Sequence, residues 1–367
     1  MKKNAVPETD NGKRTSAGRK ILRGVLIVIG ALVLCAALFL GVMTVLEYRP
    51  AEAEEVAAAG GEETLKAGDT FSLLSYNIGY AALSSGEDFF MDGGKKVMPD
   101  DKSLVEENIA GIADTLKEQD TDILFLQEVD LDSKRSFGIN EKAYLEEALG
   151  KTGMFAYNFK AALVPYPIPM IGRVNSGLVT FSDFAVAEAS RISLPCPFSW
   201  PIRTCNLKRC ILETRVPVGE EGKELVLLNF HLEAYDSGEG KIAQSRKLEQ
   251  IMAEEREKGN YVIAGGDFNQ TFEEVEGTYP IRPDAGWVPG KIGSGDLPEG
   301  FSFAVSDNVP TCRLLDGPYS GNYTDSQVYV IDGFVISDNL ELVSVENIDT
   351  GFAHADHQPV RLEVKLQ

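Results

Sequence analysis

The longest uncharged apolar stretch of the chain runs from Gly24 to Leu46. Its 23 residues would cover about 34 Å as a helix, which is enough for the hydrocarbon core of a bilayer. Basic residues dominate the positions before this stretch, and acidic residues soon follow it. The positive-inside rule therefore predicts a cytoplasmic basic tail at 1–23, a single transmembrane helix at 24–46 and an extracytoplasmic remainder. The predicted location is the cell membrane, with the lipid bilayer as a partner of this helix.

A cleaved signal peptide is the main alternative, because small residues such as Ala51 and Ala53 follow the apolar stretch. The apolar region of a signal peptide is usually only ~7–15 residues long, which favours a retained anchor. A buried core helix is disfavoured by the unbroken apolar circumference. Residues 47–69 are rich in Ala, Glu and Gly, show no strand character and are interpreted as a juxtamembrane linker.

From residue 70 onward, short apolar runs alternate with amphipathic segments. Helices are predicted over 103–119, where Ser103 and Glu106 form a capping box, and over 141–149 and 242–258. Strands are predicted over 71–77, 122–127, 157–164, 176–181, 185–192, 207–216, 225–232, 262–264, 328–336, 340–348 and from 359 onward. Because strands outnumber helices and both occur throughout, the pattern favours two packed sheets flanked by helices over a doubly wound βαβ fold.

Charge changes the picture of the partners. Positions 51–367 hold 27 basic and 53 acidic residues. Such a domain is repelled on average by nucleic acid and by anionic lipid, although a nuclease that works through bound metal remains compatible with it. Of the five cysteines, four lie beyond the apolar stretch, and no CxxC spacing indicates a metal site. An oxidising exterior would permit a disulfide between Cys196 and either Cys205 or Cys210.

Polar residues end or interrupt most of the apolar runs. In Val262–Gln270, Asp267 and Asn269 follow a strand-like run and two glycines, and at strand spacing both side chains point to the same face. A tight turn would explain this stretch equally well by itself. Further polar residues at strand ends, including two of only three histidines, are Asn77, Glu128, His231, Asp332, Asp356 and His357. Their number predicts one shared polar site.

Seven short motifs together resemble the endonuclease/exonuclease/phosphatase superfamily, which includes pancreatic-type deoxyribonucleases, apurinic-site endonucleases, bacterial sphingomyelinases and inositol-polyphosphate 5-phosphatases. In the order of the family, the motifs are SYN at 75–77, LQEV at 126–129, NSGLVTFS at 175–182, NFHL at 229–232, GGDFN at 265–269, IDGFVIS at 331–337 and ADHQPV at 355–360. The resemblance implies an α/β, four-layer sandwich of two mixed β-sheets flanked by helices. It further implies a catalytic domain at 70–367 that hydrolyses phosphoesters with a divalent metal.

The resemblance also implies a metal site. Glu128 would bind Mg²⁺ or Mn²⁺, since hard cations prefer carboxylate oxygen. Asn77 would support the metal or the phosphate from the adjacent strand, and Asp356 would contribute to the same site.

The remaining strand-end residues would perform the chemistry in such a family member. Asp267 would orient or deprotonate the attacking water, and Asn269 would donate a hydrogen bond to a phosphoryl oxygen. His357 would act as a general base or electrostatic stabiliser, with Asp332 fixing its tautomer. His231 would be the general acid for the leaving group.

The surroundings leave the substrate open. The expected substrate is a phospholipid headgroup, a sugar phosphate or a nucleotide; the alternatives are an extracellular nuclease and a non-catalytic surface-binding module. No protein partner is inferred. The Gly/Pro-rich segment 278–327 is hypothesised to select the leaving group. Arg209 and Arg313 would bind phosphate or pair with surface acids, and His354 is expected in an exposed loop.

Overall fold

The structure is a computed structural model that describes residues 11–219, 222–235 and 238–367, with side chains from residue 18 onward. The described chain divides after Glu47 into two compact units. The first unit is a single helix, α1, at Asn11–Val45. Its segment Gly18–Val45 is long and apolar enough to cross a membrane, and a signal sequence near the N-terminus has the same length and composition.

The second unit, Tyr48–Gln367, contains the remaining elements. Its longer helices are α2 at Lys102–Gln119, α3 at Glu141–Leu149 and α4 at Glu239–Glu257. The strands, in chain order, are β1 (Ala53–Val56), β2 (Thr70–Asn77), β3 (Ile123–Asp130), β4 (Met154–Val164), β5 (Gly172–Ser182), β6 (Glu188–Ser193), β7 (Cys210–Val218), β8 (Lys223–His231), β9 (Tyr261–Asp267), β10 (Gln270–Phe272), β11 (Gly290–Ile292), β12 (Phe301–Ala304), β13 (Cys312–Arg313), β14 (Val328–Tyr329), β15 (Asp332–Ser337), β16 (Leu340–Asn347) and β17 (Val360–Leu366).

Two large mixed sheets form the framework of this unit. One has the order β1-β6-β7-β8-β9-β15-β12, and the other has the order β16-β17-β2-β3-β5-β4. Each sheet contains one parallel pair, β8 with β9 and β2 with β3, whereas their other pairs are antiparallel. The prediction of two packed mixed sheets flanked by helices is confirmed.

Successive side chains of each central strand point to opposite faces of its sheet. They fill three apolar layers, one between the two sheets and one between each sheet and its helices. Leu73 and Ile263 lie in the core between the two sheets. Leu74 packs with the apolar face of α2, and Val262 packs with the apolar face of α4. Because the central strands are covered on both faces, they are nearly continuous in apolar residues rather than alternating. The result is a helix–sheet–sheet–helix stack.

The prediction of a strandless linker over 47–69 is wrong for its middle part. Ala53–Val56 forms β1 and pairs antiparallel with β6 at the edge of the larger sheet. Leu65 is buried and forms an isolated parallel bridge to Val218. The Ala/Glu-rich composition carries no strand signal because the pairing partner, rather than intrinsic propensity, specifies an edge strand.

Three smaller expectations also change. The helix α2 is capped by Asp101, whose side chain accepts hydrogen bonds from the backbone N–H groups of Ser103 and Leu104, so the Ser103 capping box is wrong. The single strand expected over 328–336 is two short strands, β14 and β15. All five cysteines are free, including Cys196.

Gly266, the second glycine of the GGDFN motif, has a φ of 146°, and a Cβ there would lie 1.9 Å from the carbonyl oxygen of Phe230. We expect Gly266→Ala to lower the free energy of unfolding by at least about 3 kcal/mol, since neither the backbone conformation nor the parallel β8–β9 pair accommodates the methyl group. Thermal unfolding of the purified chain measures this. Gly295→Ala is the matched control, because a Cβ there meets nothing within 4 Å. Equal midpoints for the two variants would contradict the prediction.

Candidate active site

The strand-end residues converge because the two parallel pairs end at one edge of the sandwich. His231 is in register with Asp267 at the ends of β8 and β9. Asp332 begins β15 opposite Asp267. In the facing sheet, Asn77 ends β2, and its Nδ2 donates a hydrogen bond of 3.1 Å to Asp267 Oδ2 across the interface. Pairing register thus brings together residues up to 280 positions apart, the separation of Asn77 and His357.

Two of the predicted residues sit in the left-handed backbone region. Glu128 has a φ of 56° and lies where the pairing of β3 with β5 shifts register between Leu126 and Val129. Asn269 has a φ of 52° in the short connection between β9 and β10. Such conformations cost roughly 1–3 kcal/mol each and are concentrated at functional sites. This register shift is a β-bulge, and it interrupts the regular alternation of side chains between the two faces of the sheet. The side chain of Glu128 consequently lines the cleft.

Asp267 is the hub of the site. Its Oδ2 lies 3.1 Å from Asn77 Nδ2, 3.3 Å from His231 Nε2 and 3.8 Å from His357 Nε2. Its Oδ1 accepts a hydrogen bond of 2.8 Å from the backbone N–H of Asn269. The carboxylate is only 1% exposed, so this arrangement fixes both of its oxygens.

His357 and Asp332 form a buried pair, with His357 Nδ1 2.8 Å from Asp332 Oδ2. Burial by itself would lower the pKa of His357, but Asp332 and the other groups around the ring outweigh it and raise that pKa well above its usual value. Burial, together with the charge of Asp332, raises the pKa of Asp267 to about 7. The ring of His357 is therefore cationic at neutral pH, and Asp267 is a stronger base than an ordinary aspartate.

His231 has the opposite character. Burial, followed by the nearby Arg209, lowers the pKa of His231 well below its usual value, so its ring is neutral at pH 7. The Arg209 guanidinium donates to the backbone carbonyl of His231 at 3.0 Å and to Glu233 Oε2 at 3.1 Å. This pair of contacts holds the end of β8 in place. A neutral ring can donate one hydrogen bond but is a poor general acid.

Glu128 and Asp356 have the chemistry of a divalent-metal site. Asp356 Oδ1 is buried and has no hydrogen-bond partner among the described residues. The carboxylate of Glu128 lies 3.8 Å from Nδ1 of the neutral His231 ring and 3.9 Å from Arg135 Nη2, and both distances are too long for a hydrogen bond. Burial raises the pKa of Asp356 to about 7, against the effect of His357 and with a contribution from Glu128. Glu128 and Asp356 therefore offer hard carboxylate oxygens to one cleft, with no hydrogen bond from a described residue to Glu128 or to Asp356 Oδ1, and they fit Mg²⁺ or Mn²⁺.

A second group, Asp267, Asp332 and His357, offers ligand atoms within 4.8 Å of one another. We favour Glu128 and Asp356 because Asp332 and His357 already satisfy each other through the 2.8 Å hydrogen bond. A metal between them would have to break that bond and displace a buried charge pair.

The amide of Asn269 donates to the carbonyl of Leu232 at 2.9 Å through one of its two hydrogens, so the second hydrogen remains for a ligand in the cleft. Asn77 Oδ1 accepts from the backbone N–H of Gly79 at 3.1 Å, which fixes the amide that donates to Asp267. Both asparagines are thus held by main-chain groups beside the predicted catalytic residues.

Sequence reasoning missed Arg135. Its guanidinium stacks 3.6 Å above the ring of Tyr80 and is held by Asp130 at 3.0 and 3.1 Å and by Ser176 at 3.2 Å. Arg135, Tyr80 and Ser176 all line the cleft beside Glu128. No strand-end signal marks Arg135, because it lies in the loop after β3.

Other sequence expectations resolve differently. Arg313 is buried and donates to main-chain carbonyls, among them Ser84 at 2.7 Å, so neither it nor Arg209 pairs with a surface acid. His354, expected in an exposed loop, is half-buried, and its ring occupies the space next to Gly111. From the segment 278–327, Trp287 lines the cleft, together with residues 312–315.

Comparison with solved structures agrees with this architecture. The Beutenbergia cavernae endonuclease/exonuclease/phosphatase is 16% identical, with a TM-score of 0.56 over 81% of this chain and 72% of that one. A Bacteroides vulgatus endonuclease/exonuclease/phosphatase is 13% identical, with a TM-score of 0.52 over 82% and 100%. TDP2 from D. rerio, complexed with a single-strand DNA product, is 15% identical, with a TM-score of 0.51 over 81% and 99%. At this identity the likeness shows the fold alone.

No curated protein sequence matches the chain significantly. The sequence model of the Endonuclease/Exonuclease/phosphatase family, in contrast, matches residues 74–350. This range covers about three quarters of the chain and contains Asn77, Glu128, His231, Asp267 and Asp332. The chain therefore belongs to the endonuclease/exonuclease/phosphatase family.

Proposed function

We propose that the protein is a membrane-anchored, extracytoplasmic, Mg²⁺- or Mn²⁺-dependent phosphoester hydrolase. The observation that carries the proposal is the position of Asp267, which contacts Asn77 and His231 and lies 3.8 Å from the cationic ring of His357 in the cleft lined by Glu128 and Asp356. A base, a cation and two carboxylate ligands thus line the cleft where a phosphate would lie.

The pKa shifts support a division of roles. Asp267, with its pKa raised to about 7, accepts the proton of the attacking water. His357, whose pKa is raised well above its usual value, donates from Nε2 to a phosphoryl oxygen while Asp332 holds Nδ1. The amide of Asn269 adds an uncharged donor to the same oxygens, whereas the single N–H of neutral His231 is directed at Asp267 Oδ2, 3.3 Å from Nε2. A bound Mg²⁺ or Mn²⁺, held by Glu128 and Asp356 beside Asn77, would neutralise charge on the phosphoryl and leaving oxygens.

The membrane part of the proposal rests on α1. Its segment Gly18–Val45 passes the length and composition test for a span. Basic residues precede it and acidic residues follow it, which supports a cytoplasmic N-terminus and an exterior catalytic domain. Determining the N-terminal residue of the mature protein tests whether the anchor is retained. A mature chain that begins before residue 24 retains it, whereas signal-peptide cleavage would remove residues 1–23 and the apolar segment.

A nuclease is the second candidate, in view of the DNA bound to the D. rerio TDP2 structure. The cleft gives it little electrostatic support. Arg209 is neutralised by Glu233, Arg135 by Asp130, and Arg313 is used by main-chain carbonyls. Nucleic-acid binding depends on cations that are available to phosphates, and the extramembrane chain is strongly acidic.

The full chain, purified in detergent, should hydrolyse bis-p-nitrophenyl phosphate with Mg²⁺ or Mn²⁺ and stop when EDTA is added. Plasmid DNA is tested in parallel over a range of salt concentrations. Cleavage of DNA that is faster than hydrolysis of the small ester and falls steeply with salt would favour the nuclease. Hydrolysis that persists in EDTA, or no hydrolysis of either substrate with metal, would overturn the proposal.

Asp332→Asn should shift the pH dependence of kcat/KM toward lower pH. Loss of the Asp332 charge lowers the pKa of His357, so the cationic donor is lost at a lower pH. The same change relieves the repulsion that raises the pKa of Asp267, so its base form appears at a lower pH. Both limbs of a bell-shaped profile therefore move in one direction. An unshifted profile in the variant would contradict the assigned roles.

A further inference from the structure

Large apolar side chains are exposed in the loops around the mouth of the cleft. Beyond Glu47, twelve such residues are exposed in the described part of the chain, and eight of them belong to loops around the cleft. These eight are Met91, Tyr166, Ile168, Met170, Trp200, Ile202, Tyr235 and Val288. We call them the apolar rim. Single exposed apolar residues are ordinary, but clustered ones mark a site of interaction.

The loops of the apolar rim contact one another around the mouth. The first of these loops joins β2 to α2 and carries Met91. Its residue Phe90 packs on the β4–β5 hairpin at Val164 and Ile171. The loop after β6 is joined to β4 by a hydrogen bond of 2.9 Å between the backbone N–H of Lys208 and the carbonyl of Asn158.

The other side of the mouth is closed by the loop after β8. The hydroxyl of Tyr235 donates to Asp92 Oδ1 at 2.8 Å, which joins this loop to the first one. The indole N–H of Trp287 donates to the carbonyl of Ala234 at 3.1 Å, which joins the segment that carries Val288. The apolar rim is therefore one surface built from five parts of the chain.

The apolar rim continues inward to the catalytic residues. Met91, Tyr166 and Tyr235 line the cleft themselves, and the other members lie within a few positions of lining residues. Deeper apolar lining is supplied by Phe159, Phe198 and Leu207. A ligand entering this cleft would pass from an apolar mouth to a floor of carboxylates and imidazoles.

We propose that the apolar rim engages the acyl chains of a bilayer lipid while the lipid's phosphoester headgroup enters the site at Asp267 and His357. This inference rests on the proposed function and names its substrate class. An amphiphile matches an apolar mouth above a phosphoester site, because its acyl chains can cover the whole rim. A sugar phosphate has no apolar group to bury, and a nucleotide has only its base. Ile168 is 93% exposed, which leaves an aliphatic side chain free to enter the acyl region. Trp200 is 51% exposed, and Trp side chains favour the membrane–water interface.

The acidic net charge of the chain indicates which headgroup charge the lipid should carry. Positions 51–367 carry 26 more acidic than basic residues, so anionic lipid surfaces are repelled on average. A zwitterionic phospholipid such as phosphatidylcholine satisfies both the apolar rim and the charge. The helix α1, as a bilayer anchor, would hold the domain at high effective concentration near such lipids.

Bromolipid quenching tests membrane contact without any catalytic turnover. The protein has two tryptophans, so the Trp287→Phe chain reports on Trp200 alone. In nanodiscs with EDTA, we expect dibrominated phosphatidylcholine to remove about half of the Trp200 emission, because an interfacial side chain lies within the outer ~5–10 Å of the lipid layer. The same chain in unbrominated nanodiscs is the reference.

Two further variants keep the quenching test decisive if Trp287→Phe perturbs the fold. The chain with Trp200→Phe retains Trp287 in the cleft wall and should be quenched less. Ile168→Ser, added to Trp287→Phe, should reduce the quenching, whereas Leu342→Ser, an exposed apolar position on β16, should not. Equal emission of Trp200 in brominated and unbrominated discs would overturn the membrane contact.

A chain-length series tests substrate class. Methyl, butyl and octyl p-nitrophenyl phosphate diesters share one leaving group and are used below the micelle concentration of the octyl ester. We expect kcat/KM for the full chain to rise at least about tenfold from methyl to octyl, because each buried methylene adds affinity. Ile168→Ser should flatten this rise, and Leu342→Ser should preserve it. Hydrolysis without chain-length dependence would overturn this inference and leave the proposed function standing; no metal-dependent hydrolysis of any ester would overturn the proposed function.

Discussion

Replacing Asp267 by asparagine is expected to lower kcat/KM for bis-p-nitrophenyl phosphate by about 10²- to 10⁴-fold, which is the usual contribution of a positioned general base. The amide keeps the shape of the side chain but cannot take a proton. It also replaces one of the two acceptor oxygens by an NH2 group, so a single oxygen cannot serve Asn77 and His231 on one side and the backbone N–H of Asn269 on the other. Steady-state hydrolysis with saturating Mg²⁺ measures the loss.

Asp114→Asn is the matched control for this substitution, since Asp114 is exposed on α2 and forms a surface ion pair of 3.5 Å with Lys117. The control should retain full activity. The unfolding midpoint of the Asp267 variant should not fall, because a buried carboxylate with a raised pKa costs stability at neutral pH. Activity within threefold of the parent would remove Asp267 from the mechanism.

Glu128→Gln is expected to raise the Mg²⁺ concentration for half-maximal activity by at least about 100-fold, because loss of a direct ligand should exceed the 10–100-fold cost of losing a supporting contact. The variant keeps the bulge and its left-handed backbone, so the fold is retained while one anionic ligand is lost. Mg²⁺ titration of activity, together with the Mg²⁺-induced rise in unfolding temperature, measures the change.

Glu107→Gln, at an exposed position on α2, is the control for charge alone. Its Mg²⁺ dependence should match that of the parent. If Glu128→Gln left the Mg²⁺ dependence unchanged while Asp332→Asn abolished it, the metal would belong to the cluster of Asp267, Asp332 and His357 instead. The two substitutions therefore distinguish the two possible metal positions.

Much of the fold follows from local pattern. The apolar runs at β2 and β3 and the amphipathic face of α2 are specified by nearby residues, so their existence is readable from the chain. The strand β1 is different. Its four residues have no strand character, and their conformation depends on β6, which lies more than 130 positions away. An edge strand of this kind becomes visible only with its partner.

The candidate site shows the same division. Strand-end position marks Asn77, Glu128, Asp267 and the other predicted residues, and the motif order identifies the family. Arg135 carries no such mark because its role depends on stacking over Tyr80 and on the fixed carboxylate of Asp130. The apolar rim could not be predicted from the sequence either. Its residues are of the same types as those of the core, and only their exposure in the folded chain distinguishes them.

The sequence by itself determined the apolar helix, the two-sheet class of the fold and the identity of the polar residues at the strand ends, because each depends on periodicity or on a short motif. Only the tertiary structure decided the charge state of those residues. Asp267, His231 and His357 have pKa values shifted in different directions by burial and by neighbours distant in the chain. Desolvation and charge pairing arise only when the two sheets pack, and on them depends which group is the base and which is the cation.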